Sequence, residues 1–356
     1  MDSVLREILE LARWAPSADN TQPWRFQVFS ERELILWYAP APEPGIFNLD
    51  HFSGRLAMGA LLETLAVAGS VQGLGVESRL VPACLDYPFG IHVVLRPTAG
   101  LKASVLSSAI VRRSTQRRRM SSALLTTAQK SDLEASVSDR FKVLWLEGWA
   151  NRFRMASLLH RVGKVRLLMP ETYTVHRDTI AWGEQHSEDR IPSGAIGVDP
   201  LLERIMAWSM GSQKRVALLN KLGGHMLPRL EMDIWPALAC SGHFVLYSEH
   251  PVDDDVAAQI EAGRASQRFW LTAENLGLKL QPEMVAPLFC RYARSGRRFT
   301  NDPWAHKEML RLCERFARLT GTQVWPGTIF MGRLGHEGKA VGSRSLRRPL
   351  SALLIP

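Results

Sequence analysis

Three hydrogen-bonding side chains lie close together in the segment PSADNTQPW, residues 16–24. Ser17, Asn20 and Gln22 combine a hydroxyl group with two amides, so the segment offers several donors and acceptors. Pro23 and Trp24 then lead the chain into a stretch rich in strand-forming residues. Such a loop suits a heterocyclic ligand that itself carries several donors and acceptors.

Basic side chains form two clusters in the second part of the chain. The formal charge is +9, but residues 1–109 carry 8 basic and 11 acidic side chains, whereas residues 110–356 carry 36 and 24. No zinc-finger, helix-turn-helix or basic-aromatic signature is present, so localised phosphate binding explains the clusters better than nucleic-acid binding does. For the first cluster alone, a solvated basic face is the alternative. The clusters are Arg112, Arg113, Arg117, Arg118 and Arg119, and Arg344, Arg347 and Arg348.

The composition is typical of a globular protein, with 46% hydrophobic and 22% charged residues,. No apolar run reaches the roughly 18 residues that a membrane span needs. The N-terminus has no basic segment followed by an apolar one, so we expect a cytoplasmic protein with no membrane partner. The cysteines are far apart and form no CxxC pair, so we expect reduced thiols and no metal site. They are Cys84, Cys240, Cys290 and Cys313.

Hydrophobic periodicity predicts the elements that position these residues. The stretch SVLREILELARWAP predicts an amphipathic helix that stops at Pro16. Its apolar face consists of Leu5, Ile8, Leu9 and Ala12. The segments WRFQVF, ELILWYA, IHVVLRP and HFVLYS are rich in β-branched and aromatic residues and predict strands.

A weak internal repeat relates two long apolar segments. GALLETLAVAGSVQGLG begins at Gly59 and GRASQRFWLTAENLGL begins at Gly263, and both reach a Gly-Leu pair at the same distance. Each segment predicts a long core helix that ends at a left-handed glycine. With the neighbouring strand segments, each half then contains a strand, a buried helix and a return strand. Two unrelated helices with a common ending are the alternative.

Residues from about 150 to 236 differ in character from both halves. RFRMASLLHRVGKVRLL and PLLERIMAWSM predict amphipathic helices, and the turn-rich RIPSGAIGVDP separates them,. We interpret this segment as a helical insertion that covers a site. An ordinary packing subdomain is the alternative.

The loop after the first helix resembles that of the FMN-binding nitroreductase superfamily. In that family the first long helix typically ends in a PSxxNxQPW loop that touches the flavin. Six residues match in register, namely Pro16, Ser17, Asn20, Gln22, Pro23 and Trp24. The resemblance implies that Pro16, Ser17, Ala18, Asn20 and Gln22 contribute to binding FMN.

A second element of the family, usually RRSxR, is matched by Arg112, Arg113 and Ser114. Two positions after the serine the family has a basic residue, where this chain has Gln116, with Arg117 one step beyond. The resemblance implies that this element binds the FMN phosphate. Which of Gln116 and Arg117 reaches the phosphate stays open.

A third element, similar to PRRPL, is the C-terminal LRRPL of residues 346–350. It contains Arg347 and Arg348, and Arg344 lies shortly before it. The resemblance implies that these arginines hold FMN, with Arg347 on the phosphate beside Arg112 and Ser114.

The distribution of the motifs implies a tandem arrangement. Residues 1–109 contain the PSADNTQPW loop without the arginine motif, and residues 110–356 contain both basic elements without a second loop. In ordinary members two identical subunits share each FMN. The resemblance therefore implies an α+β fold of the tandem, Acg-like branch, with two β-sheets flanked by long core helices in an intramolecular pseudo-dimer. The two halves share one FMN, and the insertion at about 150–236 is a helical lid.

The resemblance implies an FMN-dependent oxidoreductase that passes electrons between the flavin and a small organic substrate. The family's reactions are nitro, quinone or enone reduction, or a biosynthetic dehydrogenation. The absence of a GxGxxG motif fits NAD(P)H as a transient electron donor and equally fits no nicotinamide. A flavin-sequestering protein with a closed lid is the alternative function. The expected partner is a small molecule and no nucleic acid, and the chain is a monomeric pseudo-dimer or a homodimer of it.

Substrate-facing groups are expected from the insertion and from the LQPEMV segment after the second core helix. The family runs its backbone past the reactive edge of the flavin near this segment, so Pro282, Glu283 and Met284 are predicted to contact the cofactor. Candidates for acid, base or stacking roles in the insertion are Tyr173, His176, Trp182 and His186,.

Overall fold

The computed structural model describes residues 2–43, 45–84, 86–336 and 342–356. A π-helical turn at Leu230–Ile234 separates two short helices. The helices are α1 (Ser3–Ala12), α2 (Phe52–Val71), α3 (Ala109–Arg112), α4 (Thr127–Ser136), α5 (Gly148–Leu168), α6 (Pro170–Thr179), α7 (Pro200–Met210), α8 (Gln213–Lys221), α9 (Met226–Arg229), α10 (Trp235–Leu238), α11 (Val256–Asn275), α12 (Val285–Arg294) and α13 (Pro303–Thr320).

Helices and strands are mixed along the chain, which makes this an α+β fold,. The strands are β1 (Trp24–Ser30), β2 (Glu33–Tyr38), β3 (Leu74–Val81), β4 (Gly90–Pro97), β5 (Phe141–Glu147), β6 (Ile180–Ala181), β7 (His186–Ser187), β8 (Ile191–Pro192), β9 (Gly242–Ser248), β10 (Leu278–Pro282), β11 (Thr328–His336), β12 (Arg344–Ser345) and β13 (Leu354–Ile355).

The backbone groups into two compact units. The first unit contains Met1–Arg113, Val252–Leu276 and Leu346–Pro356. The second contains Ser114–Pro251 and Gly277–Ser345. The division into homologous halves at residues 109 and 110 stays a prediction from the sequence.

The first unit contains a five-stranded sheet with the strand order β13-β1-β2-β4-β3. Helix α1 buries the four apolar side chains that its periodicity predicted, and its N-cap Asp2 accepts a hydrogen bond from the Val4 N–H at 2.8 Å. Strand β3 was not predicted from the sequence. Its side chains are mostly exposed, so it lacks the apolar alternation that identifies a strand,.

Helices α2 and α11, which contain the two repeat segments, pack against each other in the first unit. Gly59 and Gly263 lie where the two helices meet. A Cβ atom on Gly59 would lie 2.0 Å from the Ile260 carbonyl oxygen, and one on Gly263 would lie 2.2 Å from that of Leu56. Only glycine permits such an approach of two backbones. The predicted left-handed glycine caps are also present, with φ of 68° at Gly73 and 73° at Gly277.

Polar contacts align the same helix pair. The Glu63 carboxylate accepts hydrogen bonds from Arg264 Nε at 2.9 Å and from Arg268 Nη1 at 2.7 Å. Gln267 Nε2 donates to Thr64 Oγ1 at 2.9 Å. By length and composition α2 could cross a membrane, with a mean hydropathy of 1.2 over its most apolar window, but 72% of that window is buried inside the protein. These contacts identify it as a core helix.

The second unit contains a four-stranded antiparallel sheet with the order β10-β11-β9-β5. Helix α5 packs against α13 in this unit, and α13 packs against α12. Both helices predicted in the insertion are present, as α5 and α7.

The expectation of four reduced thiols is wrong for one pair of cysteines. Cys290 in α12 and Cys313 in α13 form a disulfide. Their separation of 23 residues gave no signal in the sequence, because the packing of the two helices brings the thiols together. Cys240 is buried, as its apolar surroundings indicated, and Cys84 is exposed.

Candidate functional site

The PSADNTQPW loop begins directly after α1 and has an unusual backbone. Asp19, Asn20 and Gln22 have φ angles of 52°, 61° and 49°. Left-handed conformations are uncommon outside glycine, and clusters of them are typical of functional segments. The Ser17 hydroxyl oxygen accepts a hydrogen bond from the Gln22 N–H at 2.9 Å, which closes the loop.

The C-terminal basic element lies against this loop, although the two are far apart in sequence. The Asn20 side-chain amide donates to the Leu346 carbonyl at 3.2 Å. The Arg348 N–H donates to Gln22 Oε1 at 2.9 Å, and Gln22 Nε2 donates to the Asn20 carbonyl at 3.0 Å. Gln22 is fully buried, so its amide joins the two motifs from within the protein.

Two of the motif arginines converge on one carbonyl group. Arg113 Nη2 donates to the Trp14 carbonyl oxygen at 3.2 Å, and Arg347 Nη2 approaches the same oxygen at 3.4 Å. Arg347 Nε also donates to the Ala15 carbonyl at 3.1 Å. The Arg113 guanidinium lies 4.4 Å from the centre of the Trp270 ring, a cation–π distance,. Both arginines are buried. Backbone carbonyls and an aromatic ring take the place of water around their charges.

The region around the loop is rich in positive charge. Arg13 Nη1 donates to the Arg348 carbonyl at 3.1 Å, and Arg13 pairs with Glu10 at 2.6 Å. Burial lowers the pKa of Arg25, and the positive charge of Arg348 lowers it further. Arg112 is exposed, with its guanidinium 3.4 Å from Ser108 Oγ. Such a concentration of guanidinium groups favours an anionic ligand.

The second unit contains a cavity of about 130 Å³. Four residues predicted to contact the cofactor line it, namely Arg117, Pro282, Glu283 and Met284. The remaining lining comes from α5 and the π-helical turn within the insertion, from Ile196, and from Gln281, Val285 and Arg333. The predicted insertion and the predicted LQPEMV segment therefore meet at one cavity.

A buried ion-pair network supports one wall of this cavity. Glu283 accepts hydrogen bonds from His243 Nδ1 at 2.8 Å and from Arg333 Nη1 at 2.7 Å. Burial lowers the pKa of His243, but Glu283 and Cys240 together, through charge and hydrogen bonding, outweigh burial and raise that pKa to about 10. His243 and Arg333 in turn overcome the effect of burial on Glu283 and hold the pKa of its carboxyl group below the usual value. The network is therefore charged, and His243 donates from both ring nitrogens, to Glu283 and to the Ala237 carbonyl at 3.0 Å.

Other predicted residues of the second unit have structural contacts. Gln116 is buried, and its Oε1 accepts from the Arg118 N–H at 3.1 Å. Ser114 is half-buried at the start of the unit. Arg344 lies in β12, which pairs in parallel with β7 at His186.

The four candidates from the insertion are not brought together. Within the described ranges, none of Tyr173, His176, Trp182 and His186 lines the cavity. The Tyr173 hydroxyl donates to the Met210 carbonyl at 2.9 Å, and Trp182 packs against a small apolar cluster around Ile196. Burial lowers the pKa of His176 to about 3, with a contribution from the charge of Arg166. His186 is exposed.

Sequence reasoning missed Asp233, Arg166 and Arg333, which line the cavity. Two signals were available. Arg333 interrupts the apolar strand segment TIFMGRLGH, and Asp233 stands in the apolar stretch LEMDIWP. A charge within such a stretch needs a partner or a ligand when it is buried.

One comparison with known proteins covers the segment that contains the loop motif. The family model described as Nitroreductase family matches residues 2–51. Among solved structures, a nitroreductase-like family protein from Bacillus cereus is 11% identical, with 70% of this chain and 94% of that chain covered and a TM-score of 0.31. The FMN-dependent nitroreductase NfnB from Mycobacterium smegmatis, solved in complex with NADPH, is 14% identical, with 69% and 97% covered and a TM-score of 0.32. No curated protein matches the chain. The family match supports the resemblance at the level of the superfamily, over residues 2–51, which contain α1 and the PSADNTQPW loop.

Proposed function

We propose that the protein is an FMN-dependent oxidoreductase that acts on a small organic substrate. One observation carries the proposal. Residues of three sequence elements meet around the carbonyl group of Trp14 and the amide of Gln22. They are Arg113 of the arginine-serine element, the loop that begins at Pro16, and the C-terminal element that begins at Leu346. These are the elements on which the resemblance to flavin-binding proteins rests.

The donor set of the first unit fits the chemistry of FMN. The phosphate of FMN carries close to two negative charges and favours guanidinium partners. Arg112 is exposed and Arg348 is half-buried, so we assign both to the phosphate. Arg347 and Arg113 are oriented by backbone carbonyls, and we propose that they fix the loop and add positive charge near the phosphate. Ser17 and Asn20 would present their polar groups to the flavin ring.

Gln22 has a different role in this proposal. Both ends of its amide bond to the protein itself, to Asn20 and to Arg348. We therefore infer that Gln22 positions Arg348 and does not contact the flavin. FMN, when bound, supplies hydride and electron transfer, with NAD(P)H as a transient donor. The tandem arrangement with one FMN per chain, the lid and the cytoplasmic location belong to this proposal.

A spectroscopic experiment tests the proposal. The purified chain should show the visible absorption of oxidised flavin, and extraction should give one FMN per chain. Anaerobic addition of NADPH and then NADH, without any acceptor, should bleach that absorption, and later addition of a nitroarene or quinone should restore it as the reduced flavin passes its electrons on. A colourless chain that does not bind added FMN would refute the proposal. A flavin that only dithionite reduces would favour the sequestering function, or a dehydrogenase driven by its organic substrate.

A further inference from the structure

Several residues that line the cavity of the second unit have buried polar atoms without hydrogen-bond partners. In the described ranges four buried atoms there have no hydrogen-bond partner: Arg166 Nε, Arg333 Nε, Asp233 Oδ2 and Gln281 Oε1. A buried polar group without a partner is costly, so such groups generally mark a bound ligand or ordered water. Four of them on one cavity indicate a polar ligand.

The volume and the apolar lining set the kind of ligand. A cavity of about 150 Å³ can hold benzene, and this one is about 130 Å³. Its apolar side is formed by Leu159, Val162, Ile196, Met232 and Val285. A molecule with a small apolar body therefore fits beside the polar atoms.

The net charge of the lining residues indicates which polar group the ligand carries. Arg117, Arg166 and Arg333 face Asp233 and Glu283, so the lining has one excess positive charge, and protonated His243 behind Glu283 adds a second. Two guanidiniums with unpartnered Nε–H groups favour an oxyanion such as a carboxylate as their acceptor,. A neutral amide would leave the excess positive charge uncompensated.

We propose that this cavity binds the carboxylate group of a small, largely apolar organic acid, with Arg166 and Arg333 as its hydrogen-bond donors. The inference deepens the proposed function, because it assigns the class of the substrate. Binding of the acid is measurable whether or not the flavin is reduced.

Asp233 makes this binding dependent on pH. Its carboxylate lies so close to α5 that a Cβ atom on Gly163 would be 2.0 Å from Oδ2. Burial raises the pKa of Asp233 to about 6, although Arg166 on α5, Arg229 on α9 and Arg333 on β11 oppose the shift, while Glu283 adds to it. The guanidiniums stay charged between pH 6 and 8. An ionised Asp233 repels the bound carboxylate, so binding takes up a proton and weakens as pH rises above 6.

The test is calorimetric titration of the full-length, flavin-loaded protein with benzoate, benzamide and inorganic phosphate at pH 6 and pH 8. We expect benzoate to bind at one site, at least tenfold more tightly than benzamide or phosphate. Its affinity should fall by up to about tenfold per pH unit between pH 6 and 8. Flavin content, measured on the same sample, tests the proposed function separately.

Two variants and a control locate the site. Arg166→Gln should weaken benzoate binding at least tenfold, whereas Arg154→Gln, at an exposed position on the same helix, should not change it. Asp233→Asn should bind benzoate at pH 8 as tightly as the unaltered protein does at pH 6. A misfolded variant could not give this gain.

Several results would overturn the inference. They are no benzoate binding by the folded protein, equal affinity for benzoate and benzamide, or an Arg166→Gln variant that binds normally. Phosphate binding as tight as that of benzoate would identify a general oxyanion site and would contradict the assignment of an organic acid. A pH-independent affinity would remove Asp233 from the site.

Discussion

Replacing Gln22 with Leu should both destabilise the first unit and weaken FMN binding. The substitution removes two hydrogen bonds and leaves the Arg348 N–H and the Asn20 carbonyl without these partners in a buried region. Each buried group that loses its partner costs about 1–3 kcal/mol, so for the two groups the free energy of unfolding should fall by roughly 2–6 kcal/mol. For a domain of this size the loss corresponds to a fall in Tm of roughly 4–24 °C.

The assay is thermal unfolding followed by circular dichroism, combined with titration of the apoprotein with FMN. The matched control is Thr21→Ala, since Thr21 is the exposed neighbour in the same loop and loses only the 2.9 Å bond from its hydroxyl to the Ala18 carbonyl. Exposed substitutions of this kind generally change stability by about 0.5 kcal/mol or less. Equal Tm values for the two variants would show that Gln22 does not hold the C-terminal element. Weaker FMN binding without a loss of stability would instead place Gln22 in contact with the flavin.

Three further predictions concern other parts of the molecule. Replacing Arg112 and Arg347 together by Ala should weaken FMN binding at least tenfold more than replacing Arg118 and Arg119, because only the first pair is assigned to the loop and phosphate region. Equal losses in FMN titrations would contradict that assignment. Gly263→Ala should lower the free energy of unfolding by about 1–3 kcal/mol, because the added methyl group overpacks against the Leu56 carbonyl,. Ala257→Ser, at an exposed position of α11, should not lower it. Equal unfolding midpoints in urea for the two variants would refute the close helix contact. Asp233→Asn should stabilise the protein by up to about 3 kcal/mol at pH 8 and little at pH 4,. The folded state raises the pKa of Asp233 to about 6, so the ionised carboxylate destabilises the protein fully only above that pH. Unfolding curves at the two pH values measure the difference.

Local patterns predicted the elements whose burial is regular along the chain. In α1 the apolar spacing placed Leu5, Ile8, Leu9 and Ala12 on the buried face, and all four are buried. The glycines that follow α2 and α11 have the left-handed conformation that their positions indicated. In such cases each residue's environment follows from the period of its own element.

Contacts between distant segments were harder to predict. Asp233 reaches the cavity because a π-helical turn carries it and because Gly163 on α5 leaves room for its carboxylate, and no local pattern encodes that pairing. The same holds for the disulfide between α12 and α13. The loop motif indicated Gln22 but not its partner, since the bond to Arg348 depends on where the C-terminal segment returns.

The discontinuous first unit has a consequence for how the chain folds during synthesis. Its core includes Leu350 and Leu353, and its sheet ends in β13, which pairs in parallel with β1. Domains generally fold as units while the ribosome releases them, yet this one lacks its last strand until residue 355 has emerged. The segments of the second unit end at Ser345 and are released earlier. The nascent first unit must therefore keep one edge of its sheet open until β13 has been released, and that exposed edge is where chaperone binding or premature aggregation would begin.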